Sequence, residues 1–462
     1  MLLGVSKILS NTVYEKMAGS KDSIYELKCT FIQHDKNIEI KPQEIEQLTI
    51  EQNFVGSTID TIMLRAKFFP QDILSLIENH QDLKCVLVQT RWDRNFYGPG
   101  NNDEPDIYEF KVLLANPNDI KKQATAALMK KTESTDFDRD QLYTPISLDM
   151  QLIPENSHKL LKTKVNCILA DTNMQSVCMY LIKLFDIENA YISPVDNEKK
   201  YETVIIPGLM DMKDIFSYLQ EKYGIYQKGI SQYFDGSRFY LYPPFDTNPD
   251  KEEILHIYKL PSKSVDGGAQ YFNKKDNELH IVIFSDVKSY NSSEKGSENI
   301  GNAVSVRQGD ASIDVSHTVS NDGKITLNPQ STIIAKVNSS STNTSSQVNT
   351  RYDGTTGNIF DKLSTISSEQ MEHITFSWIH AKPYLIIPGM KCVFHYDDTE
   401  ANVENKEEQY TVTPGIVEYA KYVLTIHGKP HGPIYKWNCT LVISVPPKEL
   451  NENQVQQAIP NK

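Results

Sequence analysis

The chain has 462 residues, of which 39% are hydrophobic and 23% charged, with a formal net charge of −13. That length exceeds one ordinary core and calls for roughly two to four folded units. The acidity excludes a general duplex-binding role, which needs a concentrated Lys/Arg surface to displace counterions from phosphate.

The opening MLLGVSKILSN is weakly apolar, is broken by Gly4 and Lys7, and has neither a basic n-region nor a small-residue cleavage site. No signal peptide is expected from it. No window approaches the roughly 20 apolar residues of a membrane span. Six cysteines (Cys29, Cys85, Cys167, Cys178, Cys392, Cys439) sit in apolar or alternating contexts. Without CxxC or zinc-spaced Cys/His pairs they read as reduced core thiols. Residues 1–23 read as an N-terminal arm.

From residue 24 to 116 several runs alternate apolar and polar residues: IYELKCTFIQ, EQLTIEQNF, STIDTIMLRAKFF, LKCVLVQT and DIYEFKVLLA. Ile62, Leu64, Ala66 and Phe68 repeat with period two, which predicts half-buried strands in a β-barrel or sandwich. PQDILSLIENH (Pro70–His80) breaks the run with Ile73, Leu74, Leu76 and Ile77 at helical spacing after a proline, which predicts one short helix. Residues 117–142 are polar with an Ala-rich centre and read as a connector. Strand signals return at 143–152 and 160–171, followed by a helix with Met174, Val177, Cys178, Tyr180, Leu181 and Leu184 on its apolar face and Asp171 or Thr172 as N-cap.

The stretch IIPGLMDMKDIFSYLQEKYGIYQKGISQYFDGSRFYLYPP (205–244) holds six tyrosines. It reads as strand, amphipathic helix and hairpin. Met212, Ile215, Phe216, Leu219 and Tyr223 follow the helical pattern, Gly224 stands at the C-terminal cap, and Asp235-Gly236 is a two-residue turn signal. Its aromatics either pack a small core or form a stacking platform. The lack of an accompanying basic groove favours the core.

EILHIYKL and ELHIVIFSD, between 252 and 286, are further strand candidates. Residues 288–357 are rich in Ser, Asn and Thr, with β-like pieces at AVSVRQ, SIDVSHTV and STIIAKV, and read as a loop or as β structure ordered by neighbouring subunits. From Met371 the chain is again almost all strand, and residues 447–462 form a polar tail.

No nucleotide-binding, hydrolase, zincin or EF-hand pattern occurs. His427 and His431 are separated by Gly428 and Pro430, which forbid a helical metal pair. His373 and His380, seven apart in a strand pattern, face opposite sides. Asp136, Asp138 and Asp140 read as a solvated charge run rather than a cation loop. No catalytic, cofactor-binding or metal-binding residue is expected.

The element order, together with KPYLIIPGMKCVFHYDD at the start of the C-terminal unit, resembles the central baseplate hub proteins of contractile-tailed bacteriophages, related to the hub of type VI secretion spikes. The resemblance implies a mainly β fold with α+β insertions. Two tail-tube-like β domains would span 24–116 and, discontinuously, 143–170 with 371–446. A small strand–helix–hairpin domain would occupy 171–250 and a polar insertion 251–370. It further implies a virion structural protein without enzymatic activity or cofactor, made in the host bacterial cytoplasm. The expected assembly is a homotrimer that meets tail tube, spike and baseplate wedge proteins, while DNA passes an acidic channel without specific binding. Two other readings stand beside it: a peptidoglycan- or polysaccharide-cleaving tail enzyme, and a receptor-binding or fibre-attachment protein.

Overall fold

The computed structural model describes residues 6–18, 24–33, 36–78, 80–93, 98–99, 104–129, 145–245, 253–260, 272–283, 288–291, 371–397, 410–428 and 434–445, and four short strands between 306 and 327. In chain order these form α1 (Lys7–Lys16), β1 (Tyr25–Gln33), β2 (Lys36–Ile40), β3 (Ile45–Asn53), β4 (Thr61–Phe68), α2 (Pro70–Glu78), β5 (Lys84–Asp93), β6 (Gly98–Pro99), β7 (Asp106–Leu114) and α3 (Pro117–Met129). There follow β8 (Ile146–Pro154), α4 (Glu155–Lys162), β9 (Lys164–Asn173), α5 (Met174–Leu184), β10 (Ala190–Ile192), β11 (Lys200–Asp211), α6 (Met212–Lys222), β12 (Ser231–Phe234) and β13 (Phe239–Tyr242). The remainder is β14 (Ile254–Lys259), β15 (Phe272–Lys275), β16 (Glu278–Ile283), β17 (Lys288–Asn291), β18 (Val306–Gln308), β19 (Ala311–Ile313), β20 (His317–Val319), β21 (Ile325–Leu327), β22 (Glu372–Ala381), β23 (Lys391–Asp397), β24 (Tyr410–Gly428) and β25 (Ile434–Val445).

Alternation turns the N-terminal strands into a barrel. Ile62, Leu64, Ala66 and Phe68 of β4 are buried while Met63 and Arg65 between them are exposed, as period two requires. Antiparallel pairing runs β24-β3-β4-β8-β7-β5-β1-β25, and β25 pairs back to β24, closing an eight-stranded ring. A ring of this size is just wide enough for side chains to fill. Leu27, Phe31, Leu64, Met150, Tyr422 and Trp437 are buried in its core, and the void beside Trp437 and Tyr384 is only about 10 Å³. Ile73 and Leu76 of α2 and Ala124 of α3 pack on the same core, so the predicted short helix and the Ala-rich connector both serve the barrel.

The pairing departs from the expected grouping at two places. Residues 143–170 were expected beside 371–446, but β8 lies between β4 and β7, with Leu152 opposite both Ile62 and Val112. The cause is its own alternation, since Leu148, Met150 and Leu152 continue the inward rows of its neighbours. β14 and β16, expected in a separate insertion, run parallel to each other, and β14 also runs parallel to β23, so they extend the same sheet. The sheet thus continues from β24 through β23, β14, β16 and β15, and from β25 through β22 and β17.

β24 and β25 are long enough to serve both parts. The Tyr410–Ile416 half of β24 pairs with β23, and Tyr419–Val423 pairs with β3. A register shift between Val417 and Tyr419 marks the crossover. There Glu418 points its carboxylate at His373 of β22, 2.8 Å away, and also accepts from Ser444 of β25.

The strand–helix–hairpin of 205–244 is present. β11 leads into α6, whose Met212, Ile215, Phe216 and Leu219 are buried in a second core. Gly224 (φ +80°) ends the helix, its N–H donating to Leu219 and Gln220 carbonyls. The turn differs in detail from the expected one. Asp235 N–H donates to Arg238 O, so Gly236-Ser237 are the central residues, while Asp235 Oδ1 accepts from Ser237 and Arg238 N–H. The N-cap of α5 is Asn173, which accepts from Ser176 N–H at 2.9 Å, because β9 stays paired as far as Asn173↔Lys200 and passes Asp171 and Thr172. Tyr180 and Leu184 of that helix, expected on its apolar face, are exposed.

The arm expected at the N-terminus contains α1, an amphipathic helix. Leu9, Val13 and Met17 pack on Tyr258, Leu260 and Val282, and Ser6 caps the helix while donating to Asp397 at 2.6 and 2.7 Å. No helix among the described residues is long and apolar enough to cross a membrane.

Candidate assembly surfaces and buried polar joints

The aromatic segment docks the inserted unit onto the barrel. Tyr233 sits edge-on to Phe54 at 5.0 Å and donates to the buried carboxylate of Asp60, which also accepts from Gln52 at 3.2 Å. Tyr242 donates to Phe54 O at 3.1 Å, Ser231 donates to the same carbonyl, and Phe234 N–H reaches Thr58 O at 2.8 Å. Burial pushes Asp60 up from its ordinary 3.8 to about 6, against the pull of the Tyr233 and Gln52 bonds. Tyr226, Tyr233, Tyr240 and Tyr242 are all buried, so the aromatics are a core and a joint.

Two clefts flank this joint. One of about 420 Å³ is lined by Thr58, Lys213, Asp214, Ser217 and Gln232 among others. The other, about 380 Å³, contains Glu109 and Asp235. Asp235 is committed there to its turn and to Tyr240 OH at 3.2 Å.

Several large apolar side chains are exposed among the described residues. On the β9–β11 ribbon Ile168 and Ile205 face each other directly and are 68% and 49% exposed, with Leu209 further along. Tyr223 OH accepts from Ile205 N–H, and Tyr218 OH donates to Ile205 O, so that backbone position is already covered from α6. On the barrel wall Met63 and Leu113 flank Gln151 in one cross-strand row, and both are exposed. Elsewhere that wall carries ion pairs, Arg65 with Glu46 and Asp149, and Lys421 with Glu51.

One constellation was missed from sequence. His256 of β14 and His280 of β16 are register partners, and with Glu278 they bring three ligand-type atoms within 4.8 Å of one another. His395 of β23 joins them, its Nε2 3.0 Å from His256 Nδ1. Burial pushes His280 and His395 down to about 4, so both are neutral at pH 7. The signal was present in the two Leu-His-Ile strands, LHIYK and LHIVI, but their alignment depends on a parallel pairing.

The motifs weighed in the sequence fall elsewhere. His373 meets Glu418, and His380 lies at a bulge with φ +54°; they make no joint site. Asp136, Asp138, Asp140 and the turn after Gly428 lie outside the described residues, as does STIIAKV. The other two β-like pieces coincide with β18, β19 and β20.

The family model described as bacteriophage PBS1 gene 109 protein matches residues 8–266, more than half of the chain. The chain belongs to the bacteriophage PBS1 gene 109 protein family. The matched span runs from α1 through six of the eight barrel strands and the inserted unit to β14. No curated protein matches the chain in sequence. Among solved structures, it is similar to the tail protein from Neisseria meningitidis MC58 at 8% identity and a TM-score of 0.41, over 90% of this chain and 96% of that one. It is similar to the 43 kDa tail protein of prophage MuSo2 from Shewanella oneidensis at 8% identity and a TM-score of 0.36, over 91% and 96%. An E. coli type VI secretion component, itself described as structurally similar to T4 tail proteins gp27 and gp5, matches at 8% identity and 0.36, over 88% of this chain and 74% of that one.

Proposed function

We propose that the chain is a structural protein of a phage tail and, within it, the trimeric central hub of a baseplate, joining a sixfold tube to a threefold spike. The observation that carries this reading is the passage of β24 and β25 through both the closed barrel and the continuing sheet. One chain then holds two β units in fixed relation, so three copies present six, the count needed to meet a sixfold partner on one side and a threefold partner on the other. Membership of a phage protein family supports the setting.

Because the barrel interior is filled by side chains, a DNA passage in this assembly lies between copies rather than through a barrel. The formal charge of −13 suits walls that repel the phosphate backbone. The partners are tail tube, spike and baseplate wedge proteins, in a virion assembled in the host cytoplasm. The role requires neither catalysis nor a cofactor.

Mass photometry of the purified chain should show trimers, or a monomer that trimerises when the spike protein is added. A persistent monomer, with the chain located in the capsid of a particle map, overturns the proposal. A cleared band on a cell-wall zymogram would instead favour a tail enzyme.

A further inference from the structure

We propose that His256, Glu278 and His280 form a binding site for a divalent transition metal, with Zn²⁺ the preferred ion, on the face of the β23-β14-β16 sheet that packs against α1. Two imidazole nitrogens and one carboxylate oxygen make a donor set that zinc accepts, with a fourth position left for water. Among the described residues, this is the group of histidine and carboxylate atoms placed closely enough to share an ion.

The argument rests on how the unused atoms are disposed. His256 Nε2 is buried without a hydrogen-bond partner, and His280 Nε2 is buried against the Glu278 carboxylate. His280 Nε2 lies 3.0 Å from Glu278 Oε2, and His256 Nε2 lies 4.0 Å from Oε1, so both nitrogens flank the same carboxylate. A buried imidazole nitrogen left unpaired, as His256 Nε2 is, is costly, and an ion between these atoms would bond both nitrogens and the carboxylate at once.

The opposite ring nitrogens are already held, as they are around protein-bound metals. His280 Nδ1 is 3.1 Å from Tyr258 OH. His256 Nδ1 is 3.0 Å from His395 Nε2, and His395 Nδ1 is 2.7 Å from Tyr410 OH. If His256 and His395 both carry their proton on Nδ1, the relay runs from His256 through His395 to Tyr410 and leaves a lone pair on His256 Nε2. The His256 and His280 rings are stacked at 4.9 Å between centroids, and the His395 ring lies tilted against His256 at 5.3 Å, which fixes their orientation.

Glu278 also holds Lys16 of α1 at 3.2 Å. An ion here would tie β14 to β16 directly, to β23 and β24 through the relay, and to α1 through Glu278. Lys16 is the competing explanation for Glu278, and it supplies the control.

The test uses the full chain without a histidine tag, stripped with chelator and titrated with Zn²⁺ by calorimetry, and with Co²⁺ by visible absorption. One equivalent should bind, with intense d–d bands for Co²⁺ and a raised melting temperature. Glu278→Gln and His256→Gln, which keep side-chain size, should each weaken binding at least about tenfold. Tyr258→Phe, which removes the partner of His280 Nδ1, should weaken it about 10–100-fold. Lys16→Met should leave binding intact or tighter. Wild type that binds no Zn²⁺ at one equivalent overturns the site. So does unchanged binding by Glu278→Gln and His256→Gln, which would locate the ion elsewhere. Equal loss in Lys16→Met and Glu278→Gln would show that Glu278 acts only through α1, and also overturns it.

Discussion

Glu418 and His373 meet at 2.8 Å where β24 crosses from the barrel to the continuing sheet, with both side chains about nine-tenths buried. The hydrogen bond that His373 donates to Glu418, and the charge of that carboxylate, hold the imidazolium above its ordinary pKa despite burial. The stabilisation from this pair is therefore complete below about pH 6.5, the unfolded value, and is lost as pH rises through the raised folded value. Glu418→Gln should cost about 1–3 kcal/mol at pH 6 and less at pH 8. Urea denaturation of both proteins at the two pH values checks this, and an equal cost at each would remove His373 from the account.

Gly389 presents its α-carbon to the ring of Tyr242. A Cβ built there would lie 2.5 Å from Cε2, and φ is +65°. Tyr242 is buried and donates to Phe54 O, so its ring has little room to move. Gly389→Ala should destabilise by about 2–4 kcal/mol, from strain and overpacking together. A shift in urea midpoint under about 0.5 kcal/mol equivalent would show that the loop yields freely.

Asp60 gives a second pH signature in a lower window. Its folded value, about 6 against 3.8, means that its contribution is complete below about pH 4 and is lost as pH climbs through about 6. The full span corresponds to ~3 kcal/mol. Asp60→Asn keeps an acceptor for Tyr233 and Gln52, and should lose stability relative to wild type near pH 4 but gain on it by pH 7. Parallel stability curves for the two proteins across pH 4–7 would refute the assignment.

Ile168 and Ile205 test the assembly surface. Changing either to Asp alters a solvent-facing position, and should move monomer stability by no more than about 0.5 kcal/mol. Oligomerisation or partner binding, followed by sedimentation velocity, should weaken markedly. Wild-type assembly in both variants would exclude the β9–β11 ribbon from the interface.

Much of the barrel and the strand–helix–hairpin order of 205–244 were legible because their signals are local. The alternation in β4, the proline-led helix α2 and the apolar face of α6 each state a burial pattern within about ten residues. The partner of β8 was not legible, since its inward row matches any sheet with a vacant edge, and neither were the parallel neighbours that assemble the histidines. His256 and His280 are brought together by a parallel pairing and His395 joins them from 139 positions away, and alternation does not encode either choice. The two IIPG tetrads show the same limit. The one at Ile205–Gly208 lies in β11 at a register shift, and the one at Ile386–Gly389 is a turn packed on Tyr242.

The shared strands also set a timetable for synthesis. β1 and β3 flank the gap in the ring that only β24 and β25 fill, and those strands leave the ribosome some 380 residues after β1 begins. The nascent barrel therefore waits with two open edges through most of translation, a high-contact-order pathway exposed to edge-to-edge pairing. Chains that stop short of residue 410 leave that gap unfilled, and should accumulate as aggregates rather than as a smaller folded protein.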